Sequence, residues 1–285
     1  MTALDTMRCS VIGAGRMGTG IAHALLLSGG HVIVVDTDPE RVEQAMQRVH
    51  EMVQASARRG VLTEAIESVQ GRLSGDVGIE AVQGCGLVVE AVPEIPALKA
   101  EILAAVESVL SDDAIIATNT SSISVTLLAQ PMRRPERFIG LHFFNPVPAS
   151  NLIEVVVGAQ TAPTTTELAE QLVVAMGKTA IVVNDSPGFA SSRLGVALGI
   201  EAIRMVEEGV ASVAAIDQAM TLGYKHPVGP LRLTDLVGLD VRLGIAEYLA
   251  TSLGARFEPP QLMRDMVSRG ELGQKSGQGF YTWPQ

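Results

Sequence analysis

Three glycines near the start of the chain constrain its fold more than any other feature. They lie in the segment GAGRMG, at Gly13, Gly15 and Gly18, after a short apolar run and before a helix-like segment that begins at Met17. In a strand, turn and helix of this kind, the first glycine permits the turn, the second lets a pyrophosphate approach, and the third lets helix and strand pack closely. The four named residues are therefore expected to bind a dinucleotide at the helix N-terminus. Alone, the glycines could also form a tight turn in any doubly wound fold.

An acidic residue at the end of the second apolar run indicates which dinucleotide binds. Residues 32–35 are apolar, and Asp36 follows them, 21 positions after Gly15. A carboxylate at this distance accepts hydrogen bonds from the hydroxyls of an adenosine ribose and repels a 2′-phosphate. The sequence therefore predicts NAD rather than NADP as cofactor.

The size and charge of the chain narrow the classes of protein to which it can belong. Its 285 residues exceed one comfortable core, so two domains are predicted. The net charge of −10 argues against a nucleic-acid partner. No apolar run approaches about 18 residues, so neither a membrane span nor a signal peptide is expected. No metal site is predicted.

The two cysteines indicate the compartment. Cys9 and Cys85 lie in strand-like apolar contexts, so they are expected to be small buried side chains rather than a disulfide. Unpaired cysteines fit a reducing compartment, and a cytoplasmic location is therefore predicted.

The apolar pattern up to Asp185 predicts an α/β domain of Rossmann type, with a doubly wound, mostly parallel sheet. After a helix over residues 39–53, a polar break and a second helix over Thr63–Val69 form a helical hairpin insertion, on which Arg48 is expected to be solvated. Asn119 and Ser121 follow a predicted strand, at the sheet edge where ligands lie. Further strands are predicted at 87–92, 114–118, 138–144, 152–157 and 179–183, and further helices at 98–110 and 164–176.

The pattern changes at Ser186, so the domains are predicted to be 1–185 and 186–285, the second all-α. Ser186 as N-cap and Pro187 at the first helical position predict a helix that runs to near Gly209. It is apolar around most of its circumference, so this domain is expected to form a homodimer. Further helices are predicted at 213–222, 233–253 and 260–268.

A histidine and a glutamate in neighbouring predicted strands form the most reactive pattern. His142 lies in the segment GLHFFNPVP, and Glu154 follows twelve residues later. A strand, a turn stiffened by proline and a returning strand could bring them together, and a histidine held by a carboxylate is a competent general base. From the spacing alone, a structural histidine beside a sheet is the other interpretation.

Seven segments together identify a family. They are GAGRMGTGIA, VVEAVPE, ATNTSSI, GLHFFNPVP with Glu154, DSPGF, HPVGPLRLTDLVGLD and LGQKSGQGFY. In this order, and over essentially its whole length, the chain resembles the L-3-hydroxyacyl-CoA dehydrogenases, particularly those of the short-chain 3-hydroxybutyryl-CoA type. The resemblance implies an acyl-CoA substrate, a role in fatty acid metabolism such as β-oxidation, and a homodimer.

The resemblance also implies a role for individual residues. His142 would take the proton of the 3-hydroxyl group, and Glu154 would orient the imidazole of His142. Ser121 would hydrogen-bond the substrate oxygen. Asn145 would lie beside the nicotinamide. The remaining matches imply cofactor contacts by Glu94, Lys99, Asn119 and Lys275. The ordinary alternatives are a helix cap for Ser121, a turn former for Asn145 and a surface lysine for Lys275.

One position departs from the family pattern. After DSPGF the family has an asparagine that contacts the substrate, and this chain has Ser192, in PGFASSR. A water could fill the gap, the acyl pocket could be remodelled, or activity could be weak. The lysines of the family's CoA-binding hairpin are not matched.

Three functions follow from these patterns. The first is NAD-dependent oxidation of an L-3-hydroxyacyl-CoA to the 3-oxoacyl-CoA. The second is oxidation of another hydroxy acid, such as gulonate, as in crystallin-like relatives. The third is a catalytically weak NAD-binding protein with a structural or regulatory role, which would have no need of His142, Glu154 and Ser121 together.

Overall fold

The computed structural model describes Leu4, residues 6–62 and residues 64–284. The chain divides into two compact units, Met1–Asp185 and Ser186–Gln285.

The first unit is built on a mostly parallel sheet, as predicted. Within the described residues the sheet has eight strands in the order β3-β2-β1-β4-β5-β6-β7-β8, and only β6 and β7 pair antiparallel to each other. The strand order reverses between β1 and β4, which is where ligands bind in open α/β sheets. The strands are β1 Arg8–Ile12, β2 His31–Val35, β3 Leu73–Asp76, β4 Leu87–Glu90, β5 Ile115–Thr118, β6 Phe138–Phe143, β7 Leu152–Val157 and β8 Thr179–Asn184.

Helices flank this sheet. The central strands are buried because helices cover both faces, which is why they read as continuous apolar runs. In the hairpin, α3 packs on α2, where the Gln70 side chain donates to the His50 carbonyl oxygen at 3.4 Å. Thr63, the predicted start of α3, lies outside the described residues. The helices are α1 Arg16–Leu27, α2 Pro39–Arg58, α3 Ile66–Gln70, α4 Pro96–Val109, α5 Val125–Ala129 and α6 Pro163–Ala175.

The register of the parallel strands sets one edge of the sheet. Val35, Ile12, Glu90, Thr118 and Gly140 lie side by side on neighbouring strands. The residues that follow them therefore emerge together at the carboxyl edge of the sheet. The glycine-rich turn and the segments predicted to contain site residues all begin at this edge.

The second unit is helical, as predicted. Its core is formed by apolar side chains from several helices, including Ile200, Ile203, Leu231 and Leu249. A π-helical turn, Ala219–Gly223, follows directly on the helix Val213–Gln218. The helices are α7 Ser191–Glu207, α8 Val213–Gln218, α9 Pro230–Val237, α10 Leu239–Leu253 and α11 Gln261–Ser268.

Two predicted helix boundaries in this unit are wrong for the same physical reason. Ser186 and Pro187 do not begin α7, because Gly188 and Phe189 have φ angles of +73° and +51°, which a right-handed helix does not allow. The predicted helix over 233–253 is two helices, because Gly238 between them has a φ of +106°. In both places the apolar spacing continues across the break.

Two buried aspartates tie this unit together. Asp217 accepts hydrogen bonds from the backbone amides of Leu231 and Arg232, at 2.8 and 3.0 Å, and so caps α9. Asp235 accepts from the amides of Phe280 and Tyr281, both at 2.9 Å. These bonds connect α8 to the start of α9, and α9 to the segment around residue 280.

Candidate active site

The glycine-rich turn has the geometry that its sequence predicts. Gly13 has a φ of +109°, and a Cβ atom there would lie 2.7 Å from the Ala91 carbonyl oxygen. A Cβ on Gly18 would clash with the Gly13 carbonyl oxygen, so this glycine permits close packing of helix on strand. Around Gly15, in contrast, a Cβ would meet no atom within 4 Å. Gly15 is also the N-cap of α1 without a side-chain cap, so its space and the first amides of the helix suit an anion. Met17 is partly buried against the core.

Two side chains hold this turn through the backbone N–H and C=O groups of one residue, Ala14. Asp36 accepts a hydrogen bond from the Ala14 amide at 2.8 Å, and Arg48 of α2 donates to the Ala14 carbonyl oxygen at 3.0 Å. Asp36 therefore lies beside the turn, at the end of β2. Arg48 is exposed, as expected of a solvated residue, and it also contacts the turn from a distance of 34 residues along the chain.

A buried ion pair lies beneath the carboxyl edge of the sheet. The Lys99 ammonium, on α4, is 1% exposed and lies 2.8 Å from the carboxylate of Glu90, which is not exposed. Glu90 also accepts from the Thr118 hydroxyl at 2.6 Å and from the Val92 amide at 2.7 Å. The pair thus has the additional hydrogen bonds that a buried carboxylate needs.

Glu94 connects this cluster to Ser121. Its carboxylate lies 3.3 Å from the Lys99 ammonium and accepts from the Thr120 hydroxyl at 2.6 Å and the Ser121 amide at 2.9 Å. Burial alone would raise the pKa of Glu94, but the charge of Lys99 and these hydrogen bonds outweigh it, and the pKa is lowered. Ser121 is not a helix cap, because Ser124 caps α5.

Asn119, which follows β5, contacts both strands that flank β5 at the same edge, β4 and β6. The backbone amide of Asn119 donates to the Glu90 carbonyl oxygen at 2.7 Å, and its side-chain oxygen accepts from the Phe143 backbone amide at 2.9 Å. Asn119 therefore fixes the end of β6, next to His142. Asn145 follows β6, is exposed, and forms a cis peptide bond with Pro146.

His142 and Glu154 lie directly opposite each other in the antiparallel pair of β6 and β7. The imidazole Nδ1 and the carboxylate Oε2 are 2.8 Å apart, and the two residues are 6% and 1% exposed. The imidazole ring also contacts the ring of Phe144, with centroids 4.4 Å apart. A buried carboxylate on Nδ1 fixes the tautomer that has a basic Nε2 and stabilises the imidazolium that forms when Nε2 takes a proton. The predicted pair is therefore present with the geometry of a general base and its orienting group.

Two predicted site residues lie in the second unit. Ser192 is in the first turn of α7 and is half-buried. Lys275 is half-exposed, and its ammonium donates to the carboxylate of Asp240 at 2.6 Å. Lys275 is thus a paired surface lysine within this unit, and its contact with the cofactor stays a prediction.

Comparison with known proteins identifies the family. Residues 8–186 match the model of the NAD binding domain of 3-hydroxyacyl-CoA dehydrogenase, and residues 188–283 match that of its C-terminal domain. The chain belongs to the 3-hydroxyacyl-CoA dehydrogenase family. It is accordingly an NAD-dependent dehydrogenase, as predicted.

Relatives within this family match the chain over nearly its whole length. A probable 3-hydroxybutyryl-CoA dehydrogenase of Deinococcus radiodurans is 41% identical, over 97% of this chain and 100% of the relative. A probable 3-hydroxybutyryl-CoA dehydrogenase of Bacillus subtilis is 40% identical, over 99% of each chain. The crystal structure of (S)-3-hydroxybutyryl-CoA dehydrogenase from Ralstonia eutropha has a TM-score of 0.93 at 38% identity, over 99% of this chain and 100% of that chain. These matches do not favour oxidation of another hydroxy acid or a non-catalytic role.

The structure of this dehydrogenase reveals supporting residues that the sequence did not indicate as a set. Glu90, Thr118 and Lys99 come together only because β4, β5 and α4 are adjacent. The available signal is Glu90 itself, a charged residue at the end of an otherwise apolar strand. Among the described helices, none is long and apolar enough to cross a membrane.

Proposed function

We propose that this enzyme oxidises a short-chain L-3-hydroxyacyl-CoA, such as 3-hydroxybutyryl-CoA, to the 3-oxoacyl-CoA in fatty acid metabolism. The observation that carries the proposal is the buried pair of His142 and Glu154, 2.8 Å apart at the carboxyl end of β6. The names of the relatives from Deinococcus radiodurans, Bacillus subtilis and Ralstonia eutropha support the short-chain substrate.

His142 is the general base of the proposed reaction. Nε2 takes the proton of the 3-hydroxyl group as the C3–H bond breaks, and a C=O bond forms at C3. Glu154 keeps Nδ1 protonated and stabilises the imidazolium that results. Proton transfer to a positioned side chain of this kind contributes roughly a hundred- to ten-thousand-fold to the rate.

The residues around the glycine-rich turn fit NAD. The open space above Gly15 and the uncapped N-terminus of α1 suit a pyrophosphate, and Gly13, Met17 and Gly18 shape the turn. Asp36, held by the Ala14 amide, would accept hydrogen bonds from the ribose hydroxyls. Bound NAD would supply the acceptor for the hydride that leaves C3.

Glu94 and Lys99 act on the substrate through Ser121. Ser121 would hydrogen-bond the oxygen at C3, and its backbone amide is held by Glu94, which the Lys99 ammonium stabilises in its charged form. The burial of Lys99 makes it a positioning residue rather than a direct ligand. Asn119, which fixes the end of β6, together with Asn145 and Lys275, completes the set proposed to lie near the nicotinamide.

Ser192 is proposed to take the place of the family asparagine beside the substrate. A serine hydroxyl can still donate one hydrogen bond, but it reaches less far than an amide. We expect Ser192→Ala to cost about 0.5–1.5 kcal/mol in transition-state binding, as for one neutral hydrogen bond. Broad restoration of activity by Ser192→Asn in a slow wild-type enzyme would instead indicate a decayed site.

One assay separates the proposed function from its alternatives. NADH formation is measured with 3-hydroxybutyryl-CoA, with free 3-hydroxybutyrate and with gulonate. The proposal expects rapid turnover of the CoA thioester alone. Preference for gulonate, or NADH binding without turnover of any of the three, would overturn it.

A homodimer formed through the second unit is part of the proposal. Leu194, Leu222 and Tyr224 are large apolar side chains of this unit with 70%, 70% and 76% of their surface exposed. Such side chains are typical of a protein interface. Light scattering is expected to give a dimer at micromolar concentration, and a monomer would count against this arrangement.

A cytoplasmic location is the last part of the proposal. Cys9 and Cys85 are buried thiols that are not joined in a disulfide. Burial raises the pKa of Cys9 to about 12, so this thiol is unreactive. Unpaired cysteines are typical of a reducing compartment. Fractionation of cells that express the protein tests the location.

A further inference from the structure

A lysine at the start of β8 holds the loop that follows His142. This loop comprises residues 144–151 and joins β6 to β7. The Lys178 ammonium donates to the Val147 carbonyl oxygen at 2.8 Å and to the Ser150 carbonyl oxygen at 2.5 Å. Within the part of the chain that the structure describes, neither oxygen accepts another hydrogen bond, so the ammonium is the one donor that both share.

The backbone places Lys178 beside the loop. Gly177 follows the C-cap of α6, and its φ of +67° turns the chain out of the helix. The amide of Thr179, the residue after Lys178, donates to the carbonyl oxygen of Asn151, the last residue of the loop, at 2.6 Å. Because the backbone makes these contacts, replacement of the lysine side chain leaves them in place.

The charge of Lys178 is kept where water reaches it only in part. The residue is half-buried, and burial lowers the pKa of its ammonium from the ordinary 10.5. Among the described residues no carboxylate forms an ion pair with it. The two carbonyl oxygens are therefore the groups that compensate for the lost solvation. A hydrogen bond from a charged donor is roughly twice as strong as a neutral one, so the loop is held firmly.

The loop contacts both the proposed base and the helix that follows the glycine-rich turn. At its start, the ring of Phe144 contacts the imidazole of His142, with centroids 4.4 Å apart. In its middle, Val147 is 3% exposed and packs on α1, where a Cβ on Gly20 would lie 2.8 Å from the Cβ of Val147. The loop also carries Asn145, which is proposed to lie near the nicotinamide. A shift of this loop would thus be felt at the base and at the cofactor.

We propose that Lys178 is a positioning residue for the transfer of hydride, which holds the loop so that Asn145 meets the nicotinamide and Phe144 supports the ring of His142. This inference rests on the proposed function, because it takes His142 as the base and Asn145 as a neighbour of the cofactor. Without the ammonium, two carbonyl oxygens that converge on one point lose their donor and repel each other. A displacement of about 1 Å at the reacting groups can lower a rate by about a hundredfold.

Variants of Lys178 test the proposal. The constants kcat and KM are measured with 3-hydroxybutyryl-CoA and NAD for the wild type, Lys178→Met and Lys178→Arg. Methionine keeps the length of the side chain without its donors, so kcat should fall by about ten- to a hundredfold. Arginine keeps the charge and the donors, so Lys178→Arg should recover most of this loss. Lys225→Met removes an exposed lysine of the second unit and is the matched control, which should retain the wild-type kcat.

Cofactor binding distinguishes positioning from general damage to the fold. The affinities for NADH and for ADP-ribose, which lacks the nicotinamide, are measured by calorimetry. Lys178→Met should weaken the binding of NADH by about two- to tenfold, as for the loss of one neutral hydrogen bond, and leave that of ADP-ribose unchanged. Equal weakening of both ligands, or a folded Lys178→Met with the kcat of the wild type, would overturn the proposal.

A second variant keeps the proposal testable if Lys178→Met does not fold. Val147→Ala loosens the loop on α1 while the ammonium stays in place, and it should show the same lowered kcat and the same selective loss of NADH affinity. A folded Val147→Ala enzyme with wild-type values would show that the position of the loop does not govern the transfer. If the wild type failed to oxidise 3-hydroxybutyryl-CoA, the proposed function itself would fail. Turnover by the wild type that Lys178→Met matches would overturn this inference alone.

Discussion

Replacement of Lys99 by methionine tests how the site is supported from beneath. Methionine keeps the length of the side chain but leaves the Glu90 carboxylate buried, with two hydrogen bonds and no cation. Breaking a buried pair by removal of one partner costs about 3–5 kcal/mol. The upper part of this range is expected, because the two residues are 1% and 0% exposed and solvent cannot replace the lost charge.

Urea and thermal unfolding measure this cost. The unfolding midpoint of Lys99→Met is expected to fall by about 8–20 °C, which is about 4–5 kcal/mol at roughly 2–4 °C per kcal/mol for a unit of this size. Glu101→Gln removes an exposed charge from the same helix and should change stability by no more than about 0.5 kcal/mol.

A double variant separates the lost charge from lost packing. In Lys99→Met with Glu90→Gln, the fully buried carboxylate of Glu90 is replaced by a neutral amide that still accepts hydrogen bonds, and Glu94, which also loses its cation, is 37% exposed and can be solvated. We expect it to recover at least half of the lost stability. If the double variant were no more stable than Lys99→Met alone, the electrostatic reasoning would be refuted.

Three further predictions address the cofactor site, the acid response and the second unit. Asp36→Ala should narrow the preference for NAD over NADP, chiefly because it weakens NAD binding. Titrations in which the wild type binds NAD and NADP equally well would contradict the role of Asp36 as the group that binds the ribose. Because the pKa of Glu94 is lowered from 4.5, its contribution to stability is present above that pH and is lost as the pH falls. The urea midpoint of Glu94→Gln should therefore fall less than that of the wild type between about pH 6 and pH 3, whereas parallel curves would argue against this role. Asp235→Ala leaves the part-buried amides of Phe280 and Tyr281 without their acceptor and should lower the unfolding free energy by about 1–3 kcal/mol. Unchanged stability would contradict this prediction.

Strands buried on both faces could be predicted from the sequence because burial leaves a continuous apolar run. β4 and β5 are examples, and both were predicted within two residues of their observed ends. β3 was not predicted. Its sequence, LSGD, has one buried residue, because it is an edge strand held by backbone pairing with β2. Such a strand carries no hydrophobic pattern.

The helix boundaries of the second unit were missed because backbone conformation, rather than apolar spacing, decides them. Gly238 ends α9 with a positive φ while leucine and valine continue on either side. The same is true of Gly188 and Phe189 before α7.

The contact between His142 and Glu154, the proposed catalytic pair, could be predicted because the two residues belong to adjacent strands joined by one turn. His142 and Glu154 come together through local pairing of β6 with β7. Lys99 and Thr118 reach Glu90 from separate elements, so their meeting depends on the strand order, which spacing does not reveal.

The most direct test of the account is the turnover of His142→Gln with 3-hydroxybutyryl-CoA and NAD. Glutamine keeps a polar group of similar reach but cannot take the proton, so kcat should fall by roughly a hundred- to ten-thousand-fold. The affinity for NADH, measured by fluorescence titration, should remain nearly that of the wild type, because His142 lies on β6, away from the glycine-rich turn after β1. Glu154→Gln should also lower kcat severely. A folded His142→Gln enzyme with near-normal turnover would contradict the account, because it would show that the pair is structural.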